Sequence, residues 1–90
     1  EIHLVDVIEQ NQPDIVERME LSGNIRRLFV LMDANLTQRE RQILIMRYGL
    51  YGNREVTQSE IGTRLGISRS YVSRIEKKAL GKLREKFEQG

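Results

Sequence analysis

The chain has no cysteine and a single histidine in 90 residues. Without cysteine there is no disulfide framework and no thiolate metal site. His3 has no second imidazole to share a metal or a proton-transfer role with, so a metal site and histidine-based catalysis are not expected. There is no run of about 18 apolar residues, the length a membrane-spanning helix needs. A glycine-rich phosphate loop is missing too, because Gly49, Gly62 and Gly66 each have a structural task described below. The one hydroxyl–acid grouping that stands out, Thr57 with Glu60, is explained by helix capping. Catalysis and a cofactor therefore fall away as expectations.

What remains is ordinary globular material, 39% hydrophobic and 31% charged, enough for one small domain with a modest core. Beginning at Glu1 without a methionine, it is expected to be a C-terminal piece of a longer protein. The net charge of +2 is unevenly placed. Residues 1–35 carry three bases against seven acids, and residues 36–90 carry twelve against six. A basic second part points to a polyanionic partner.

Helical periodicity organises most of the chain. Residues 1–12 show only the apolar run "IHLVDVI", which suits a short strand, a helical turn or a linker; residues 1–19 are expected to be a linker, with Pro13 fitting the first turn of a helix capped by Gln12 or Asn11. From about Glu20 to Asp33, Ile25, Leu28, Phe29 and Met32 recur at helical spacing. Thr37 and Glu40 then form a capping-box pattern, and Gly49 supplies a left-handed stop. A second Thr-x-x-Glu pattern opens at Thr57 and Glu60, with Val56 and Ile61 placed as a hydrophobic staple. The expected fold is all-α, a small helical bundle over residues 20–90 that ends in a helix-turn-helix at about 57–78.

The helix-turn-helix assignment rests on packing positions. Two helices crossing through a very short turn need apolar residues at fixed places, a small residue at the crossing and glycine in the turn. Ile61, Leu65, Ile67, Val72 and Ile75 fill the five apolar places, Gly62 the small one and Gly66 the turn. Ser68 is placed to cap the second helix. Unrolled at about 100° per residue, that helix gathers Val72, Ile75, Ala79, Leu83 and Phe87 on one side and Ser70, Ser73, Arg74, Lys77, Lys78 and Arg84 on the other. Its N-terminal end is the one that enters the major groove in this motif. Arg69 and Arg74 suit guanine O6 and N7, and Ser70 and Ser73 suit close approach. Lys77 and Lys78 suit phosphates, which set register without reading sequence. Tyr71 lies between the faces, equally suited to packing against the turn, and Glu76 near the apolar flank suits a structural ion pair.

"LTQRERQILIMRYGL" followed by "TQSEIGTRLGISRSYVSRIEKKALGKLR" resembles region 4, the C-terminal domain of bacterial RNA polymerase sigma factors of the sigma-70 family. "GISRSYVSRIEK" is most similar to the sporulation sigma factors that act in the mother cell of endospore formers. The resemblance implies binding of the −35 promoter element as duplex DNA and docking on the β flap of the RNA polymerase core, in the bacterial cytoplasm at the nucleoid. It places Arg69, Ser70 and Arg74 at base-reading positions and Arg39 and Arg47 near the DNA backbone. Together with Thr57, Ser68, Lys77 and Lys78 these make the expected backbone set. Housekeeping members usually carry Glu where this chain has Ser70 and Gln where it has Arg74. That exchange removes an acceptor suited to cytosine and adds a guanine reader, so a different −35 preference is expected. Leu28, Phe29, Met32, Leu44 and Ile45 are the candidates for flap docking, and all are equally suited to the core of a bundle.

Two other readings compete. One is a protein-interaction module for an anti-sigma factor or an activator. The other is a stand-alone helix-turn-helix regulator that binds palindromic sites as a dimer, which needs a dimerising helix for which no spare apolar stripe is evident.

Overall fold

The computed structural model describes residues 2–9 and 21–89. They form five α-helices: α1 Ile2–Glu9, α2 Leu21–Asn35, α3 Gln38–Tyr48, α4 Gln58–Leu65 and α5 Arg69–Gln89. A 3₁₀ turn at Leu50–Gly52 follows α3, and no strand occurs among the described residues. The proposed helix start at Pro13, with Asn11 or Gln12 as its cap, and the boundary at 19/20 lie outside the described residues.

Local chemistry fixes the helix ends. At the start of α3, Thr37 Oγ1 accepts from the Glu40 N–H at 3.1 Å, and Glu40 Oε1 accepts from the Thr37 N–H at 2.8 Å. The capping box is complete. Gly49 ends α3 at φ 64°, ψ 42° and donates its N–H to the Ile45 carbonyl. A Cβ there would lie 2.7 Å from the Asn53 carbonyl oxygen, so both backbone conformation and space demand glycine. The second box is only half formed. Thr57 Oγ1 accepts from the Glu60 N–H at 3.2 Å, but the Glu60 carboxylate pairs with Arg64 one turn on, at 2.9 Å. A Glu–Arg pair four residues apart on a helix competes for the same oxygens.

Two apolar clusters hold the helices. The larger joins α1, α2, α3 and the second half of α5 around Leu28, Met32, Leu44, Leu50 and Leu83. The smaller consists of Ile43, Val56, Ile61 and Val72, with Met46, Leu65, Ile67 and Ile75 packed against it. Neighbours on α3 divide between them: Ile43 faces the smaller cluster and Leu44 the larger. The 21-residue α5 spans both, about 30 Å in length. Its C-terminal half is anchored, which fixes where its N-terminal turns point. Arg27 strengthens the anchor from α2. Its Nη2 donates to the Phe87 and Lys86 carbonyls at 2.7 and 3.2 Å, and its guanidinium lies 4.6 Å from the Phe87 ring centroid.

Two expectations can be placed on this fold. Residues 2–9, expected within a linker, form a helix whose Leu4, Val5 and Ile8 are buried in the larger cluster, against α2 and α5. The i, i+1, i+4 spacing puts all three on one face, and the seat that receives them is assembled from residues far away in the chain. Arg84 Nη2 reaches the Val7 carbonyl at 3.4 Å and so serves the last turn of α1. The docking candidates also divide. Leu28, Met32 and Leu44 have no exposed surface and belong to the core. Phe29 and Ile45 are half-buried.

Candidate nucleic-acid interface

Only Gly66, Ile67 and Ser68 separate α4 from α5. Gly66 takes φ 71°, ψ 31° and donates to the Gly62 carbonyl, which also receives the Ile67 N–H at 3.0 Å. A Cβ on Gly62 would lie 2.7 Å from the Ile67 carbonyl oxygen and 3.4 Å from the Arg69 nitrogen. Both obstacles are backbone, so glycine is what lets the helices approach this closely. Ser68 starts α5: its Oγ accepts from the Tyr71 N–H at 3.1 Å and its carbonyl from the Val72 N–H at 3.0 Å. Below the turn, Ile61 and Val72 are fully buried and Gly62 is buried between the helices.

A polar network fixes the angle at which α5 leaves this unit. Glu76 is 8% exposed. Its Oε2 accepts from the Tyr48 hydroxyl at 2.9 Å, and its Oε1 accepts from Gln58 Nε2 at 2.9 Å. Arg47 Nε faces Oε1 at 3.4 Å as an ion pair. One carboxylate thus ties α5 to α3 and to the first residue of α4, in the structural role expected of it. Burial and the Glu76 charge push the Tyr48 hydroxyl from its ordinary 10.0 up to about 12.

The opposite side of α5 faces solvent. Arg69, Ser70, Arg74, Lys77 and Lys78 are exposed, and Ser73 is half-buried. Thr57 and Ser68 are exposed at the starts of α4 and α5. Both hydroxyl oxygens accept helix N–H groups, and each hydroxyl keeps its own hydrogen to donate. Arg39, exposed in the first turn of α3, completes the surface across a cleft of about 290 Å³. Thr37, Arg39 and Glu40 form one wall, and Tyr71, Arg74, Ile75 and Lys78 form the other. Glu40 does not cancel the positive field there, because Lys82 Nζ neutralises it at 2.9 Å. Burial would raise the Glu40 pKa, but the Lys82 contact and the Thr37 N–H outweigh it and hold the carboxyl below its ordinary value.

Arg47, expected near the DNA backbone, is engaged with Glu76 while part of its side chain stays exposed. It is half-buried, its Nε is directed at Glu76, and its guanidinium lies 5.9 Å from the Tyr48 ring centroid. It serves the network and also reaches the surface, with 36% of its side chain exposed. For Tyr71, which the sequence left open, the structure takes the exposed alternative: its side chain stands 48% exposed, with the Arg74 guanidinium 5.8 Å from its ring centroid. The amphipathic pattern alone did not distinguish these positions, since both lie at the border between the two faces. Among the described residues no group of three or more histidine, cysteine or acidic side chains is placed to hold a metal ion. No described helix is long and apolar enough to cross a membrane.

Comparison with known proteins places this geometry in a family. Residues 34–85, more than half of the chain, match the model of sigma-70, region 4. The chain belongs to the sigma-70 region 4 family. The matched segment of this region 4 runs from the end of α2 through most of α5. The chain is also similar to RNA polymerase sigma-28 factor of Bacillus thuringiensis subsp. kurstaki and RNA polymerase sigma-K factor of Bacillus subtilis, 41% identical to each over 97% of its length. RNA polymerase sigma-E factor of Clostridium acetobutylicum is 40% identical over 69% of the chain. The alignments cover 36%, 29% and 26% of these relatives, so the chain spans about a third of their length or less. No solved structure matches.

Proposed function

We propose that this region 4 reads the −35 element of a promoter as duplex DNA through α4 and α5, and docks on the β flap of RNA polymerase, so that the protein containing it directs transcription initiation. The observation that carries the reading is the exposed basic N-terminal part of α5. Arg69, Ser70 and Arg74 stand free of the core while Val72, Ala79 and Leu83 on the opposite side hold the helix in place. Arg69, Ser70, Ser73 and Arg74 approach base edges, with Ser73 the most restricted because it is half-covered. Arg39, Thr57, Ser68, Lys77 and Lys78 take phosphates. Arg47, paired with Glu76 but with 36% of its side chain exposed, joins this backbone set. Binding requires no bond making. Phosphate contacts supply salt-sensitive affinity, and a few side chains supply selectivity.

For docking, Phe29 and Ile45 are the original candidates that keep some surface, and the neighbouring exposed apolar residues extend them. Val30 is 64% and Tyr51 53% exposed, and Tyr51 stacks on Phe29 with ring centroids 4.5 Å apart. Arg74 and Ser70, in place of the Gln and Glu usual in housekeeping members, give a −35 preference different from the housekeeping one. The test is selection of bound promoter duplexes by holoenzyme carrying the full-length protein, repeated with Arg69→Ala and Arg74→Ala. The reading requires altered base preferences at the −35 element. If promoter use is unchanged while substitutions at Phe29 and Ile45 abolish polymerase binding, interaction with protein is the main role.

A further inference from the structure

We infer that Tyr71 is a specificity-determining residue that reads a thymine through its 5-methyl group, with Arg74 beside it reading the adjacent base. This deepens the proposed function and rests on it. Three features converge on the ring. It belongs to the first turn of α5, tied there by the N–H bond to Ser68 Oγ, so it travels with the part of the helix that enters the groove. It is 48% exposed, one of three large apolar side chains so exposed among the described residues, and the other two, Val30 and Tyr51, lie on α2 and the turn after α3. It also lines the cleft whose other members include Arg39, Arg74 and Lys78, so cations flank it on both walls. A polyanion drawn to those cations meets the ring as it arrives.

The chemistry that fits an aromatic surface in a major groove is the thymine methyl, the one apolar group the base pairs present there. Arg74 strengthens the assignment. Its guanidinium lies 5.8 Å from the Tyr71 centroid, a cation–π distance, and this contact limits the orientations of a long side chain that would otherwise sweep freely. Tyr71 and Arg74 are three residues apart on one helix, so the two contacts fall on neighbouring bases. The ring stays out of the core: Val72, the next residue, is fully buried while Tyr71 is 48% exposed.

Uracil substitution tests this, since it removes the methyl and keeps every hydrogen-bonding group. Holoenzyme with the full-length protein is bound to duplexes carrying its selected −35 sequence, with each thymine of either strand replaced singly by uracil. At one position wild type should lose about fourfold in affinity, the change expected for one methyl's worth of buried apolar surface. Tyr71→Ala should bind the thymine and uracil duplexes equally, whereas Tyr71→Phe, which keeps the ring, should retain the difference. The inference is overturned if wild type senses no uracil, if Tyr71→Ala still senses it, or if the selected element contains no thymine. Arg74→Ala in the same assay separates the two claims. If it changes base preference while uracil is not sensed, DNA reading by α5 stands and the role of Tyr71 fails. If neither change has an effect, both fail.

Discussion

Around Leu28, Leu44 and Leu83 the chain packs aliphatic side chains from α1, α2, α3 and α5. Under the helix-turn-helix the buried aliphatic residues among those described are Ile43, Val56, Ile61 and Val72, and the rest is done by two glycines and one carboxylate. The larger cluster is a matter of volume. Any shape that refills it is tolerated at modest cost, as in aliphatic cores generally. The smaller unit is a matter of backbone approach and hydrogen-bond geometry: the Gly62 backbone nearly touches the turn, and Glu76 serves three partners. The first region supplies stability, and the second aims the N-terminal turns of α5. A protein that must present side chains at fixed angles has reason to separate the two tasks.

The comparison breaks if the two clusters respond alike. Leu44→Ala should have the largest effect, about 3–4 kcal/mol of stability lost in urea melts, because it leaves a cavity where four helices meet. Leu28→Met in the same cluster should cost less than about 1.5 kcal/mol. Gly62→Val should cost about 3 kcal/mol although it only adds carbon, since its Cβ meets the Ile67 carbonyl and the turn cannot move away. Equal tolerance at Leu28 and Gly62 would erase the distinction.

Titrations sharpen it further. Tyr48 has its folded pKa raised to about 12 against an ordinary 10.0, so folding favours the protonated hydroxyl. The sign follows: this contribution is whole below pH about 10 and is lost as pH rises through about 12, roughly 2 kcal/mol across that window. Tyr48→Phe should remove that alkaline slope, measured as the wild-type minus mutant difference in urea melts. Glu40 behaves oppositely. Its folded pKa is lowered, so its contribution is present above its unfolded value and lost as pH falls through the folded one. Lys82→Gln should weaken that acid limb and cost about 1 kcal/mol at neutral pH, the smallest of these effects, as Lys82 is partly exposed.

What the sequence made legible follows the reach of each interaction. Thr37, Glu40, Gly49, Gly62, Gly66 and Ser68 act on neighbours within a turn or two, so their spacing carries their meaning. The seat of α1, the reach of Arg27 to a carbonyl 60 residues away and the Tyr48–Glu76 bond across 28 residues depend on how helices assemble, which periodicity does not encode. Glu60 was read as the capping partner of Thr57, but Arg64 lies one turn on and takes its carboxylate. Ser70, Arg74, Lys77 and Lys78 were legible as a polar face, and their exposure follows from it, whereas Arg39 was named only by the family resemblance. Arg47 and Tyr71 were not legible in this way, because a side chain at the edge of a face can turn either way.

The most direct test of the central claim compares Arg74→Ala with Lys77→Ala in holoenzyme across a panel of −35 duplexes and salt concentrations. Arg74→Ala should change which bases are preferred. Lys77→Ala should weaken binding to every duplex about equally and reduce the salt slope by about 0.9, the amount one lost phosphate contact removes. An Arg74→Ala protein that binds all duplexes more weakly in the same order as wild type would contradict base reading by the N-terminal turns of α5.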